Sequence, residues 1–172
     1  MDQDRFDGLY AEYHTAVLSY FLRRLPEREE AHDAAADVFV VLWRRMSDVP
    51  GGADERPWLY GVCRRILQNH ERTRRRRSRL GARLQAVPDP PSEDPAAAAV
   101  DSASAADLRH ALATLSRDDQ EVLRLATWER LPHAEIGAIL GCSAHAVDQR
   151  IHRASKRLAQ NLEAAGYQRS VT

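Results

Sequence analysis

Lysine is almost absent from this chain. Of its 25 basic residues, Lys156 is the one lysine and the rest are arginines. Cysteine is scarce too: Cys63 and Cys142 lie far apart and offer no disulfide framework, so the reducing cytosol is the expected compartment. No apolar run approaches the ~20 residues that a membrane span requires, which argues against membrane insertion. The opening Met1-Asp2-Gln3-Asp4-Arg5 lacks the basic-then-apolar pattern of a secretion signal. Strand-like alternation is missing throughout. Net charge is missing as well, since 25 acids offset 25 bases. Taken whole, that neutrality speaks against a nucleic-acid partner, because such domains are usually basic.

Signatures of catalysis are equally thin. His133-Ala134-Glu135 matches the H-x-E fragment of zinc deaminases, but no P-C-x-x-C follows. Cys142, His145 and His152 have no second ligand pair at zinc-finger spacing. There is no nucleophile elbow, phosphate-binding glycine loop or HExxH. Cys63 sits in an apolar helical stretch and reads as packing. The expectation is a non-enzyme with no metal, no cofactor and no small-molecule substrate.

Divided along the chain, the neutrality dissolves. Residues 1–80 hold 15 arginines against 13 acids, residues 81–106 hold Arg83 against four acids, and residues 107–172 hold 9 bases against 8 acids. The middle stretch carries Pro88, Pro90, Pro91, Pro95 and the Ala96–Ala99 run, with few large apolar side chains. It cannot bury a core and reads as a flexible acidic linker between two small domains. A chain of 172 residues accommodates that division.

Both flanking segments are helical by periodicity, so the fold class is all-α. Phe6, Leu9, Tyr10, Tyr13, Val17, Phe21 and Leu25 recur at three- and four-residue steps on one face, and Pro26 ends that helix. A second helix is expected from about Glu29 to Met46, with Val38, Val41, Leu42 and Phe39 inward. Ser47–Ala53 reads as a loop. Asp54 suits a cap for the next helix, with Pro57 in its first turn. The apolar set of that helix, Trp58, Leu59, Val62, Ile66 and Leu67, stops abruptly at residue 67. Further on, Leu108–Leu115 starts a helix, and Ser116 with Asp119 forms an imperfect capping box before Val122, Leu123, Leu125 and Trp128. Pro132 opens a short helix to Leu140, Gly141-Cys142-Ser143 is a tight turn, and a longer helix runs from Ala144 to about Leu162. That is a helix-turn-helix arrangement.

Two surfaces carry the functional signal. Advancing about 100° per residue from Val147, the side chains of Ile151, Ala154 and Leu158 fall within about 40° of it, forming a buried stripe. His145, Gln149, His152 and Lys156 lie opposite, Arg153 beside them and Asp148 on the shoulder. A helix so presented can enter a major groove, with His145, Gln149 and Arg153 at base edges and Lys156 and Arg157 on phosphates. The other surface is Arg72-Thr73-Arg74-Arg75-Arg76-Arg77-Ser78-Arg79. From Arg64 to Arg79, eight arginines face Glu71 alone. This run continues an amphipathic helix whose apolar face has ended, a geometry suited to tracking a nucleic-acid backbone.

In combination these residues resemble the extracytoplasmic-function (group 4) sigma factors of bacterial RNA polymerase. Ala31 to Arg44 resembles region 2.2 of that family; Arg56 to Arg65, through Asn69-His70-Glu71-Arg72, resembles regions 2.3 and 2.4. Leu115–Leu125, Ala134–Ser143 and Val147 with Arg150–Ala154 resemble region 4. The match is in order and covers nearly the whole chain. The resemblance implies that Asp33, Asp37, Phe39 and Trp43 dock on the clamp helices of core polymerase. It implies that the Ser47–Glu55 loop with Trp58, Arg64, Arg65, Asn69, Arg72, Arg74, Arg75 and Arg76 engages the −10 element and its melted strand. Ser143, His145, Asp148, Gln149, Arg150, Arg153, Lys156 and Arg157 would hold the −35 duplex of promoter DNA. An anti-sigma factor is a further implied partner, and the linker would run in the cationic channel of polymerase. Fully extended, residues 81–106 reach ~86 Å, and as a free coil they average ~28 Å. Elements one to two DNA turns apart are separated by roughly 34–70 Å, so the tether must be partly stretched.

Three positions depart from the family pattern. Gln is frequent where Ala36 stands, which removes one hydrogen-bonding side chain from the core contact. His145-Ala146-Val147-Asp148 replaces a common Gly-Thr-Val-Lys; an acid at 148 repels phosphates yet can accept from cytosine, predicting an unusual −35 preference. Arg65 stands where Asn is frequent, adding positive charge. Apart from the resemblance, the residues leave open a polymerase-independent helix-turn-helix regulator, in which residues 1–80 sense or dimerise, and a helical adaptor that binds only proteins.

Overall fold

Seven α-helices account for almost all of residues 2–82 and 102–164, the residues described by the computed structural model. No strand occurs among them, so the all-α expectation holds. The linker residues 83–101 and the terminal residues 165–172 lie outside the described residues. The chain divides into two compact units, Met1–Asp94 and Pro95–Thr172.

In the first unit α1 (Asp2–Leu22) packs on α2 (Arg28–Arg44), and α2 on α3 (Glu55–Ala82). Glu29 and Glu30 in the first turn of α2 and Arg44 in its last complement the helix dipole. Val17, Tyr20, Phe21, Val38, Leu42, Leu59, Tyr60, Cys63 and Leu67 form the core, closed by Leu25 just past α1. Ala31, Ala34 and Ala35 are buried as well. Hydrophobic periodicity understates this burial, because alanine is a weak apolar signal. Some side chains sit less deep than periodicity predicts: Tyr10, expected inward, is 41% exposed, and Phe6, Tyr13, Val41, Trp58 and Ile66 are half-buried.

The expected loop after α2 holds two 3-10 turns, Met46–Asp48 and Gly52–Asp54. Asp54 ends the second of these, and Glu55 opens α3 with Pro57 in its first turn, where a missing N–H costs nothing. Leu67 is the last buried side chain of α3 among those described, and the helix continues to Ala82.

The second unit contains α4 (Ser102–Ala113), α5 (Arg117–Thr127), α6 (His133–Leu140) and α7 (Ala144–Ala164). Helix α4 begins inside the stretch expected to be linker. Ala103, Ala105 and Ala106 are strong helix formers, and their lack of bulk hid the helix from an argument based on large apolar residues. Ser116 caps α5 as expected, its Oγ accepting from the Asp119 N–H at 3.1 Å. The Asp119 carboxylate turns to α7 and accepts from Arg157 Nη1 at 3.0 Å. Trp128, expected with the inward set of α5, is 39% exposed at the helix end, with Arg124 5.7 Å from its ring.

Helix α6, the turn and α7 meet as the Pro132 and Gly141 signals predict. Pro132 is the N-cap of α6, and Gly141 ends it in the left-handed region at φ 70°. Gly137 is needed for a different reason. A Cβ there would meet the Cys142 carbonyl oxygen at 2.5 Å, and that is backbone that cannot swing away. The Cys142 N–H donates to Gly137 O at 2.9 Å, so the turn closes directly over this glycine. Val147, Ala154, Ile136, Ile139, Val122, Leu125, Ala111 and Leu115 fill the core.

Gly137→Ala should therefore destabilise the second unit by about 1–3 kcal/mol through overpacking, lowering its melting temperature by several degrees. Gly8→Ala, where nothing lies within 4 Å of the new Cβ, should be neutral or stabilise α1 by up to about 1 kcal/mol. Thermal unfolding followed by far-UV circular dichroism separates the two; equal melting temperatures would contradict the close approach.

Candidate nucleic-acid interface and polymerase-facing groove

Between α1 and α2 lies a groove of about 630 Å³ lined by Phe6, Tyr10, His14, Phe39, Val40 and Trp43 among others. The rings interlock. Phe6 meets Trp43 edge-on at 5.2 Å between centroids, and Tyr10 meets Phe39 at 4.7 Å. Tyr10, Val40 and Trp43 remain exposed, an apolar cluster on a surface where monomeric proteins usually show single apolar residues. Of the four residues expected to meet polymerase, Trp43 is 49% exposed and Asp33 and Asp37 are exposed on the same helix. Phe39 is 6% exposed. It forms the wall of the groove under Tyr10, so it shapes the surface more than it offers area.

On α3 the expected strand-binding residues do not share one face. At about 100° per residue, Trp58, Arg65, Asn69, Arg72 and Arg76 fall within about 40° of a common line. Arg74 falls about 180° away, in line with the buried Cys63 and Leu67 but beyond the end of that stripe. Trp58 and Arg64 are half-buried, while Arg65, Asn69, Arg72, Arg74, Arg75, Arg76 and Arg77 are exposed. The helix thus passes from a packed half to a projecting half ringed by guanidinium groups. His70 Nε2 lies 3.6 Å from Asp37 Oδ2, linking the start of the projecting half to α2.

On α7 the buried and exposed faces match the helical-wheel expectation. Val147 and Ala154 are fully buried and Ile151 and Leu158 half-buried, while His145, Asp148, Gln149, His152, Arg153 and Lys156 are exposed. His145 Nε2 and Gln149 Nε2 lie 2.9 Å apart, and Arg153 Nε donates to Gln149 O at 3.3 Å, so the polar face is internally ordered. Three of the expected duplex contacts sit differently. Ser143 is the helix cap, its Oγ accepting from the Ala146 N–H at 3.1 Å. Arg150 is half-buried at the edge of the exposed face. Arg157 braces α5 through Asp119, so a phosphate must compete with that carboxylate.

Two side chains at these surfaces carry contacts that the sequence did not announce. His133, at the start of α6, stands 3.7 Å from Asp148. Arg5, on α1, donates to the carbonyls of Val49 and Pro50. Neither carries a local signal, because each partner is distant in sequence. Among the described residues no group of three or more His, Cys, Asp or Glu is placed to hold a metal ion, and no helix is long and apolar enough to cross a membrane.

Comparison with known proteins agrees with both halves. Residues 9–77 match the family Sigma-70 region 2, and residues 105–158 match Sigma-70, region 4. The chain is 27% identical over 161 residues to RNA polymerase sigma factor YlaC of Bacillus subtilis (strain 168), covering 93% of each. It is 28% identical over 164 residues to the ECF RNA polymerase sigma factor SigL of Mycobacterium tuberculosis, covering 94% of this chain and 91% of that one. Among solved structures it is similar to the sigma factor RpoE of Bartonella quintana, seen in complex with the anti-sigma factor NepR. The TM-score there is 0.70 at 21% identity, with 92% of this chain and 97% of that one covered. Region 2 and region 4, in that order on one helical chain, place this protein in the sigma-70 family as an extracytoplasmic-function sigma factor, a promoter-specificity subunit of RNA polymerase.

Proposed function

We propose that the first unit binds core polymerase through the α1–α2 groove and the exposed acids of α2, and holds the −10 element with the Ser47–Glu55 loop and α3. The second unit reads the −35 duplex with α7. The residues between α3 and α4 tether the two. One observation carries this reading: two DNA-suited surfaces of different kinds stand on separate units of one chain. The exposed polar face of α7 suits a duplex major groove, and the projecting arginine half of α3 suits a backbone. Neither surface needs catalysis. Binding energy spent on an unpaired strand shifts the melting equilibrium toward the open duplex, and nucleotide addition belongs to the core enzyme. The setting is the cytoplasm, where the polymerase works, and an anti-sigma factor is a proposed partner, as RpoE of Bartonella quintana is seen in complex with one.

Replacing Arg74, Arg75, Arg76 and Arg77 together with alanine should reduce open-complex formation at least tenfold and flatten its salt dependence, since each lost phosphate contact lowers the slope by nearly one unit. Core affinity should change less than threefold. Permanganate footprinting of the melted strand with parallel core titrations checks this, and undiminished opening would rule out the assigned role of α3.

At position 148 the acid sets base preference. Asp148→Asn should relax preference at one −35 base pair by about 1–3 kcal/mol of discrimination while tightening binding overall, because a phosphate-repelling charge is gone. Selection from a randomised −35 library reads both effects; an unaltered base profile would show that Asp148 does not face the bases.

A further inference from the structure

The exposed tip of the loop between α2 and α3, residues Gly51, Gly52, Ala53 and Asp54, contains two glycines and no buried side chain. Two glycines widen the backbone freedom of a segment whose one regular piece is the 3-10 turn Gly52–Asp54, and ordering it on a ligand costs conformational entropy for each residue fixed. Yet both of its ends are held by a single side chain from a distant helix. Arg5 Nη2, on α1, donates to Val49 O and to Pro50 O, each at 2.9 Å. The same nitrogen lies 3.7 Å from Glu55 Oε2, at the far end of the tip. Tyr13 Oη approaches the other oxygen of Glu55, Oε1, at 3.5 Å, the outer limit of a hydrogen bond. Burial pushes the Tyr13 phenol up to about 12, with hydrogen bonding and charge from Glu12 and charge from Glu55 adding to it, so it remains a donor at neutral pH. Below the tip, Met46 and Val49 are buried, and Arg45 Nε bonds Asp48 Oδ2 at 3.0 Å.

We propose that Arg5 is a positioning residue for base selection in the unpaired strand: its guanidinium group, bridging the two ends of the Gly51–Asp54 tip, presets the loop in the shape that receives a base. This rests on the reading that the Ser47–Glu55 loop contacts the melted strand. Arg5 itself need touch neither DNA nor polymerase. Its charge-assisted bonds to carbonyl oxygens reduce the ensemble that binding must otherwise order, so its effect falls on discrimination between bases and not on affinity for core enzyme. The contact spans 44 and 45 residues of sequence, which is why no local motif announces it.

The test uses the full chain assembled with core polymerase on pre-melted bubble templates that differ at one base of the unpaired non-template strand. Arg5→Met keeps the aliphatic stem and removes the donors. It should lower discrimination between the preferred base and the others by about tenfold, the size expected for loss of a charge-assisted hydrogen bond. Core affinity and upstream duplex preference should stay within twofold. Arg5→Lys, which also offers several donors from one nitrogen, should recover most of the discrimination. Because discrimination is a ratio between templates, partial unfolding lowers both terms alike and cannot imitate the effect. Wild-type discrimination in Arg5→Met would overturn the proposal, as would a parallel loss of core affinity and of preference at both promoter elements. A wild-type protein indifferent to the unpaired bases would instead sink the reading of the loop itself.

Discussion

Among the described side chains of α3 burial ends at Leu67, while the helix goes on to Ala82, and this mismatch governs the first unit. Up to Leu67 the helix is held by packing against α2. Beyond it, past the His70–Asp37 contact, helical order draws on backbone hydrogen bonds and on the good intrinsic propensity of arginine. Like charges spaced three and four residues apart oppose that order by a few tenths of a kcal/mol per pair. A polyanion removes the repulsion and releases its own counterions. On the proposed reading of α3, the electrostatics of the projecting half would be satisfied in a complex with nucleic acid, and the same helix is anchored in a packed core through Leu59, Tyr60, Cys63 and Leu67.

A similar division of labour marks the second unit. Gly137 and Gly141 let the chain turn tightly, Ser143 caps α7, and the Arg157–Asp119 bond braces α7 against α5. These interactions fix the orientation of α7 and leave His145, Gln149, His152, Arg153 and Lys156 free of the core. Asp148 adds an acid to that face beside His133. On the proposed reading of α7, a carboxylate on that face gives up phosphate attraction for selectivity among bases.

Much of this was legible in the sequence, where the signal was local. Helical period, Pro26, Pro132, Gly141 and Ser116 placed the helix ends, and the wheel of α7 sorted its buried and exposed faces correctly. The start of α4 was not legible, because Ala103, Ala105 and Ala106 favour helix without adding the bulk that marks a core. The buried Ala31, Ala34 and Ala35 were missed for the same reason. On α3, counting arginines concealed that Arg74 and Arg72 point to opposite sides. Contacts between residues distant in sequence, such as Arg5 with Val49 or Arg157 with Asp119, leave no trace in periodicity or propensity. Neutral net charge was the poorest guide, since it averages an arginine-rich helix with acids on other surfaces.

In the proposed function one chain reads two separated promoter elements on behalf of RNA polymerase. The decisive experiment is run-off transcription from a randomised promoter library, with core polymerase in the presence and absence of the purified chain. Initiation should depend on the chain and enrich two short elements at a fixed spacing, one opened and one kept as duplex. Initiation without sequence selection, or enrichment of one element regardless of core polymerase, would contradict it.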